Sequence, residues 1–355
     1  MPHAGVPPAT ILTSDPGTIV RPMEEPNAST QKGCSSDDAA ARRAAAIAAG
    51  CTVDIADVTV RLWCADRLTA DALAAALGTA PVRPGRGPGT GPGRLSVTFD
   101  HAVPALPDEP PDESYGRTLD VWRKGEELYL AHGADLAAAV RPDEACFGGS
   151  PSPVLRHMLP LALGHMLGFR DRFVVHAGVI DRRGQAALVV GESGTGKSTV
   201  VIAAHHAGWD VLGDHTAILR PGPAGVQVTT FGLPLSFPGD LLETPLLGSR
   251  PLSGDARNRW ALPISAPRQW LDVAALVVPY HEQDPAGALT RLGAPRCFEE
   301  AVGTFVAASE PLLLHRYAPM AGALSHWGWR LGIPPVPATR IEVLGRLLDG
   351  MDTGP

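Results

Sequence analysis

The chain has 355 residues, 45% hydrophobic and 19% charged, with a formal net charge of -7. This suits one or two packed domains and excludes a disordered polymer. The acidic balance supplies no basic field, so neither nucleic acid nor a membrane is an expected partner. No apolar run reaches the roughly 18 residues that span a bilayer, and no charged-then-apolar leader opens the chain, so a cytoplasmic location is expected.

Residues 1–48 mix Pro, Gly, Ser and charge before an Ala-rich patch, and read as a mobile tail holding one helix. Residues 49–150 read as a small α+β domain. CTVDIADVTVRLW has strand character, and LTADALAAALG predicts a helix with Thr69 as N-cap and Gly78 as its stop. The run PVRPGRGPGTGPGR (81–94) suits neither helix nor strand, because Pro removes donors and Gly raises chain entropy. LSVTF is a further strand, and TLDVW and LYLA form a hairpin around RKGEE.

Residues 151–350 change texture. PVLRHMLPLALGHMLGF predicts a mostly buried helix despite its proline. FVVHAGVI predicts one strand carrying His176, followed by the turn DRRGQ and a second strand, AALVV. Five cysteines, Cys34, Cys51, Cys64, Cys146 and Cys297, are odd in number and never spaced C-x-x-C. They read as reduced packing residues, with neither a disulfide framework nor a zinc site.

The second strand runs into GESGTGKST (Gly191, Glu192, Ser193, Gly194, Thr195, Gly196, Lys197, Ser198, Thr199), which matches G-x-x-x-x-G-K-[ST] in full and precedes a helical stretch. Glycines let such a loop turn its N–H groups toward phosphate oxygens, and the helix N-terminus adds a favourable dipole. Lys197 is expected on the β- and γ-phosphates, with Ser198 holding Mg²⁺, so ATP and Mg²⁺ are the expected ligands. The helix ends near Gly208, and WDVLGD predicts a short strand closing on Asp214. A carboxylate at that edge is a second metal ligand or a base. His205 and His206, adjacent on the helix, cannot share a face and read as structural.

No N-K-x-D segment supports a GTPase. LSGD (252–255) resembles half of an ABC signature but lies too near the loop and lacks the strand that should follow it.

As one block, VVHAGVIDRRGQAALVVGESGTGKSTVVIAAHHAGWDVLGDHTAIL (174–219) resembles the HPr kinase/phosphorylase family and its wider group of HPr-kinase-like proteins. The resemblance is weaker from 220 to about 310, through FGLPLSF, RNRW and AALVVPY. It implies phosphate and Mg²⁺ roles for Lys197 and Ser198 and an active-site role for His176. The family shows Asp-Asp where this chain has Asp214-His215, so by spacing His215 occupies the place of the family's catalytic aspartate.

Three outcomes follow from that replacement. His215 itself accepts the acceptor's proton, Asp214 takes over as base with His215 assisting, or transfer is lost and nucleotide binding remains. Arg257 and Arg259, in GDARNRW, are the expected cations at the transferred phosphate or the acceptor. SHWGWRLGIPPV reads as an aromatic packing patch and ATRIEVLGRLLDG as a closing amphipathic helix.

The expected fold is α/β, a P-loop kinase domain with a mixed sheet, preceded by a smaller α+β domain. The expected reaction is γ-phosphate transfer from ATP to a serine-type hydroxyl of a peptide, protein or small-molecule substrate. The first 150 residues do not resemble the regulatory domain of HPr kinases, so HPr is not the expected acceptor. Self-association into a homo-oligomer stays open. The competing class is an ATP-binding regulatory partner that transfers nothing.

Overall fold

The computed structural model describes residues 50–64, 95–115, 119–150, 155–232, 235–238, 259–262 and 270–351, apart from a few positions inside them, with short pieces between. The tail 1–48, apart from Ala45, and the expected stop Gly78 lie outside the described residues.

Among the described residues, nine strands form the first sheet: β1 (Cys51–Ile55), β2 (Val58–Cys64), β3 (Val82–Pro84), β4 (Leu95–Asp100), β5 (Glu113–Tyr115), β6 (Leu119–Lys124), β7 (Glu127–His132), β8 (Leu136–Val140) and β9 (Glu144–Gly149). Their order is β3-β1-β2-β4-β9-β8-β7-β6-β5, with β2, β4 and β9 parallel neighbours and the other pairings antiparallel. The alternation expected of CTVDIADVTVRLW is there, but the stretch is a hairpin and not one strand. Cys51, Val53 and Ile55, then Val58, Val60, Leu62 and Cys64, point into the core, and Asp57 makes the turn at φ 61°.

The hairpin TLDVW/LYLA forms as expected, as β6 and β7. Two local expectations are corrected. Thr69 does not cap its helical turn. Its backbone N and its Oγ1 both donate to Asp66, at 2.8 and 2.6 Å, so the capping carboxylate is Asp66. Within 81–94, expected to hold no strand, Val82–Pro84 pairs with β1 at an edge, where proline is tolerated; 85–94 lie outside the described residues.

Helix α1 (Leu155–Gly168) follows, with Pro160 inside it. Its buried Met158, Leu159, Ala162, Leu163, Met166 and Leu167 share one core with the first sheet, with Val174 and Ile218 of the second, and with Phe231 just after β15. Asp57 reinforces the junction, since it accepts from Arg172 at 2.9 and 3.0 Å and from Arg220 at 2.6 Å.

The second sheet holds β10 (Phe173–Val175), β11 (Gly178–Arg182), β12 (Gln185–Val189), then α2 (Lys197–His206), β13 (Asp210–Gly213), β14 (Ala217–Gly222) and β15 (Gly225–Thr230). After a three-stranded ribbon, β16 (Leu235–Pro238), β17 (Arg250–Pro251) and β18 (Arg259–Leu262), the chain returns as β19 (Leu271–His281) and β20 (Ala288–Leu292). Helices α3 (Ala294–Gly303) and α4 (Pro311–Leu324), strand β21 (Gly328–Ile333) and helix α5 (Pro337–Asp349) complete it.

The order is β10-β14-β15-β19-β12-β11-β13, with β21 beside β19 and β20 outermost. β12 and β21 run parallel to β19, and the rest pair antiparallel, so the sheet is mixed. Along β12 and the residue that follows it, Ala186, Leu188 and Val190 face a core with α3 and α4, whereas Ala187 and Val189 face one with α2 and α5. That two-sided burial explains the continuous apolar run AALVV. SHWGWRLGIPPV, expected as a packing patch, supplies β21; the closing helix forms as expected, as α5.

FVVHAGVI, expected as one strand, is two. The chain breaks at His176–Ala177, because Val175 pairs with β14 while Gly178 already pairs with Val189 of β12. Only two residues thus link strands far apart in the sheet order, so the sheet curls and draws its ends together. Thr230 Oγ1 of β15 accordingly donates to Leu212 O of β13 at 2.5 Å.

Candidate functional site

β12 ends at Val189, and the glycine loop leads from it into α2. Gly191, Gly194 and Gly196 take φ of 134°, 87° and 101°, a region that glycine enters without steric cost. Gly196 is the N-cap of α2, with no side-chain cap bond, so the first N–H groups of the helix stay available at the end where its dipole favours anions. A Cβ on Gly196 would stand 2.1 Å from Ile333 Cδ1, so the loop is seated on the end of β21.

Lys197 is nearly buried and donates to the carbonyls of Gly191 and Glu192, at 2.8 and 2.9 Å. Burial pulls its pKa below the usual lysine value, and Asp214 opposes that pull. An ammonium has three N–H donors, so one remains for another acceptor. Thr195 Oγ1 donates to Glu192 O at 2.9 Å, which closes the turn.

Ser198, on the first turn of α2, donates from Oγ to Asp214 Oδ2 at 2.9 Å. Asp214 follows β13 and is 2% exposed. The same Oδ2 lies 3.4 Å from His215 Nε2, longer than an ordinary hydrogen bond. The His215 side chain is 45% exposed. Its ring lies nearly parallel to that of His176, with centroids 6.3 Å apart.

His176 reaches this position through the break between β10 and β11, where its backbone N–H donates to Thr304 O at 2.8 Å. Burial, then Lys197 and His215, lower its pKa to about 4, so it is a neutral imidazole at physiological pH.

Lys197, Ser198, Asp214, His215 and His176 therefore meet beside one loop, although His176 does so from a break in the sheet rather than from a strand. Glu192, Ser193 and Gly194 are exposed on the loop, and Thr199 lies in α2. Arg257 lies outside the described residues. Arg259 is in β18, opposite Pro238, and its side chain also lies outside what is described.

Sequence reasoning missed two residues, His281 and Ile333, which pair across β19 and β21 and both touch the loop. The one available signal was position: both stand at the carboxyl ends of strands, where α/β folds place ligand sites.

A serine hydroxyl hydrogen-bonded to a buried carboxylate supplies the hard oxygen donors that Mg²⁺ prefers, with water and phosphate completing its shell. The donor set fits that ion. Among the described residues, no group of three or more His, Cys, Asp and Glu side chains is placed to hold a metal. Nor is any described helix long and apolar enough to cross a membrane.

No protein-family model matches the chain, and no curated protein matches it. Among solved structures it is similar to the HPr(Ser) kinase/phosphatase from Coxiella burnetii, at 10% identity, covering 50% of this chain and 94% of that chain, with a TM-score of 0.25. A likeness of that size does not bear on activity.

Proposed function

We propose that the chain is an ATP-dependent kinase acting on a serine-type hydroxyl of a peptide, protein or small molecule. The observation that carries this reading is the Ser198–Asp214 hydrogen bond of 2.9 Å, directly beside Lys197 at the mouth of a glycine loop. A chance glycine turn has no reason to bring a buried carboxylate from another strand onto the hydroxyl that follows its lysine. The resemblance of residues 174–219 to HPr-kinase-like proteins points the same way and supplies the hydroxyl acceptor.

In this reading the loop N–H groups and Lys197 hold the β- and γ-phosphate oxygens of ATP, the phosphoryl donor substrate. Ser198 and Asp214 hold Mg²⁺, which when bound neutralises phosphate charge. The acceptor oxygen forms a bond to the γ-phosphorus as the bond to the β,γ-bridging oxygen breaks, and ADP leaves. The acceptor's proton passes to the Asp214–His215 pair. His176, neutral and close to His215, adds no positive charge that would oppose this step.

A second reading, nucleotide binding without transfer, is favoured by the imidazole of His215 at the family's aspartate position and by its long contact with Asp214. Incubation with γ-labelled ATP and hydroxyl-bearing acceptors separates the two. Transfer is expected, falling about 100-fold in Lys197→Ala and by a similar factor in His215→Asn, the latter with Mg·ATP binding retained. Tight Mg·ATP binding with no Lys197-dependent transfer would falsify the kinase reading and leave the second.

A further inference from the structure

The loop's carbonyl groups are satisfied unevenly. Those of Gly191 and Glu192 accept from Lys197 Nζ, and that of Glu192 also from Thr195 Oγ1, all within the loop or the start of α2. The carbonyl of Gly194 instead meets His281 Nε2, at 3.1 Å, from the last residue of β19. Gly194 sits at φ 87°, and nothing lies within 4 Å of where a Cβ would be, so no neighbour packs on that side of the residue.

We infer that His281 is a positioning residue for nucleotide, acting by fixing the orientation of the Gly194–Thr195 peptide; this rests on the kinase reading above. A peptide unit is planar and trans, so its C=O and the next N–H point in opposite directions. With Gly194 O held by the His281 N–H, the Thr195 N–H points in the opposite direction, toward Glu192 O, a carbonyl that also accepts from Lys197 Nζ. That contact is long, at 3.4 Å. It leaves the N–H able to donate to a phosphate oxygen. Without His281 the peptide is free to flip, which would replace this donor with a carbonyl oxygen that repels an anion.

The neighbouring residue of the parallel pair completes the brace. Ile333 lies opposite His281, its carbonyl accepts from Glu282 N at 3.0 Å, and its Cδ1 lies under Gly196. One pair of strand ends therefore supports the loop at two points, and only the His281 contact is polar.

The test uses the full chain and Mg·ATP. His281 is exposed, so His281→Phe and His281→Ala are expected to keep the wild-type thermal midpoint. Both are expected to weaken Mg·ATP binding, and raise the KM for ATP, about fivefold, with kcat nearly unchanged and faster amide hydrogen exchange across residues 191–199. His281→Gln, which keeps an N–H donor, is expected to restore affinity. Wild-type affinity in the Phe and Ala variants overturns the inference, as does faster exchange without loss of affinity. A Gln variant as weak as Phe overturns the hydrogen bond as the cause. If the wild-type protein binds no Mg·ATP, the kinase reading fails and takes this inference with it.

Discussion

Both sheets contain a run of three parallel neighbours, β2-β4-β9 in the first and β12-β19-β21 in the second, and their carboxyl ends are used in opposite ways. At the end of β9, a Cβ on Gly148 would stand 1.8 Å from Ala102 O, and one on Gly149 would stand 2.0 Å from Asp135 O. Glycine there lets backbone pack on backbone. At the end of β12, Gly194 faces open space and Gly196 meets only the tip of Ile333, before a helix begins. Glycine there leaves N–H groups open to an approaching anion. A helix follows both β9 and β12, so what makes the second a candidate site is that its glycines meet open space and a side-chain tip instead of backbone.

Substitutions on the two sides should separate these roles. Gly148→Ala sets a methyl group against rigid backbone and is expected to cost about 3 kcal/mol of stability, read as a lower denaturant midpoint, with nucleotide affinity unchanged in the molecules that remain folded. Gly196→Ala adds strain of about 1–3 kcal/mol at its positive φ. Ile333 can yield, so the main effect expected is a tenfold or greater loss of Mg·ATP affinity, measured by calorimetry. Equal losses of affinity in the two variants would erase the distinction.

A pH effect is expected from His176, at the break between β10 and β11. His176 binds its proton near pH 4 when folded, against an ordinary value of 6.5, so between these pH values the unfolded chain binds more protons. Stability from this group is complete above about pH 6.5 and is lost as the pH falls toward 4. His176→Gln should flatten that part of the curve of melting temperature against pH. A curve that keeps the wild-type slope would count against the buried, neutral imidazole.

The smallest effect is expected at the junction. Asp57→Asn keeps a side chain that tolerates φ 61° and removes the charge paired with Arg172 and Arg220. These pairs are partly exposed, so a loss of about 1 kcal/mol or less is expected, screened by salt. A loss of several kcal/mol would mean that the two sheets depend on each other more than their shared core around α1 implies.

The residue pattern by itself determined the glycine loop, the strand before it, the helix after it and the position of Asp214, because each has a local cause: conformational freedom, two-sided burial, helix propensity and strand length. It also determined the β6–β7 hairpin and α1. It did not reveal β8, since LAAAV carries helix-like composition and becomes a strand between β7 and β9. Nor did it divide FVVHAGVI, which breaks because its two halves pair with different partners. Only the tertiary structure decided that His176 meets His215, that Ser198 bonds to Asp214, and that His281 and Ile333 support the loop. Each depends on which strands lie side by side, and pairing between distant segments has no period in the sequence by which to read it.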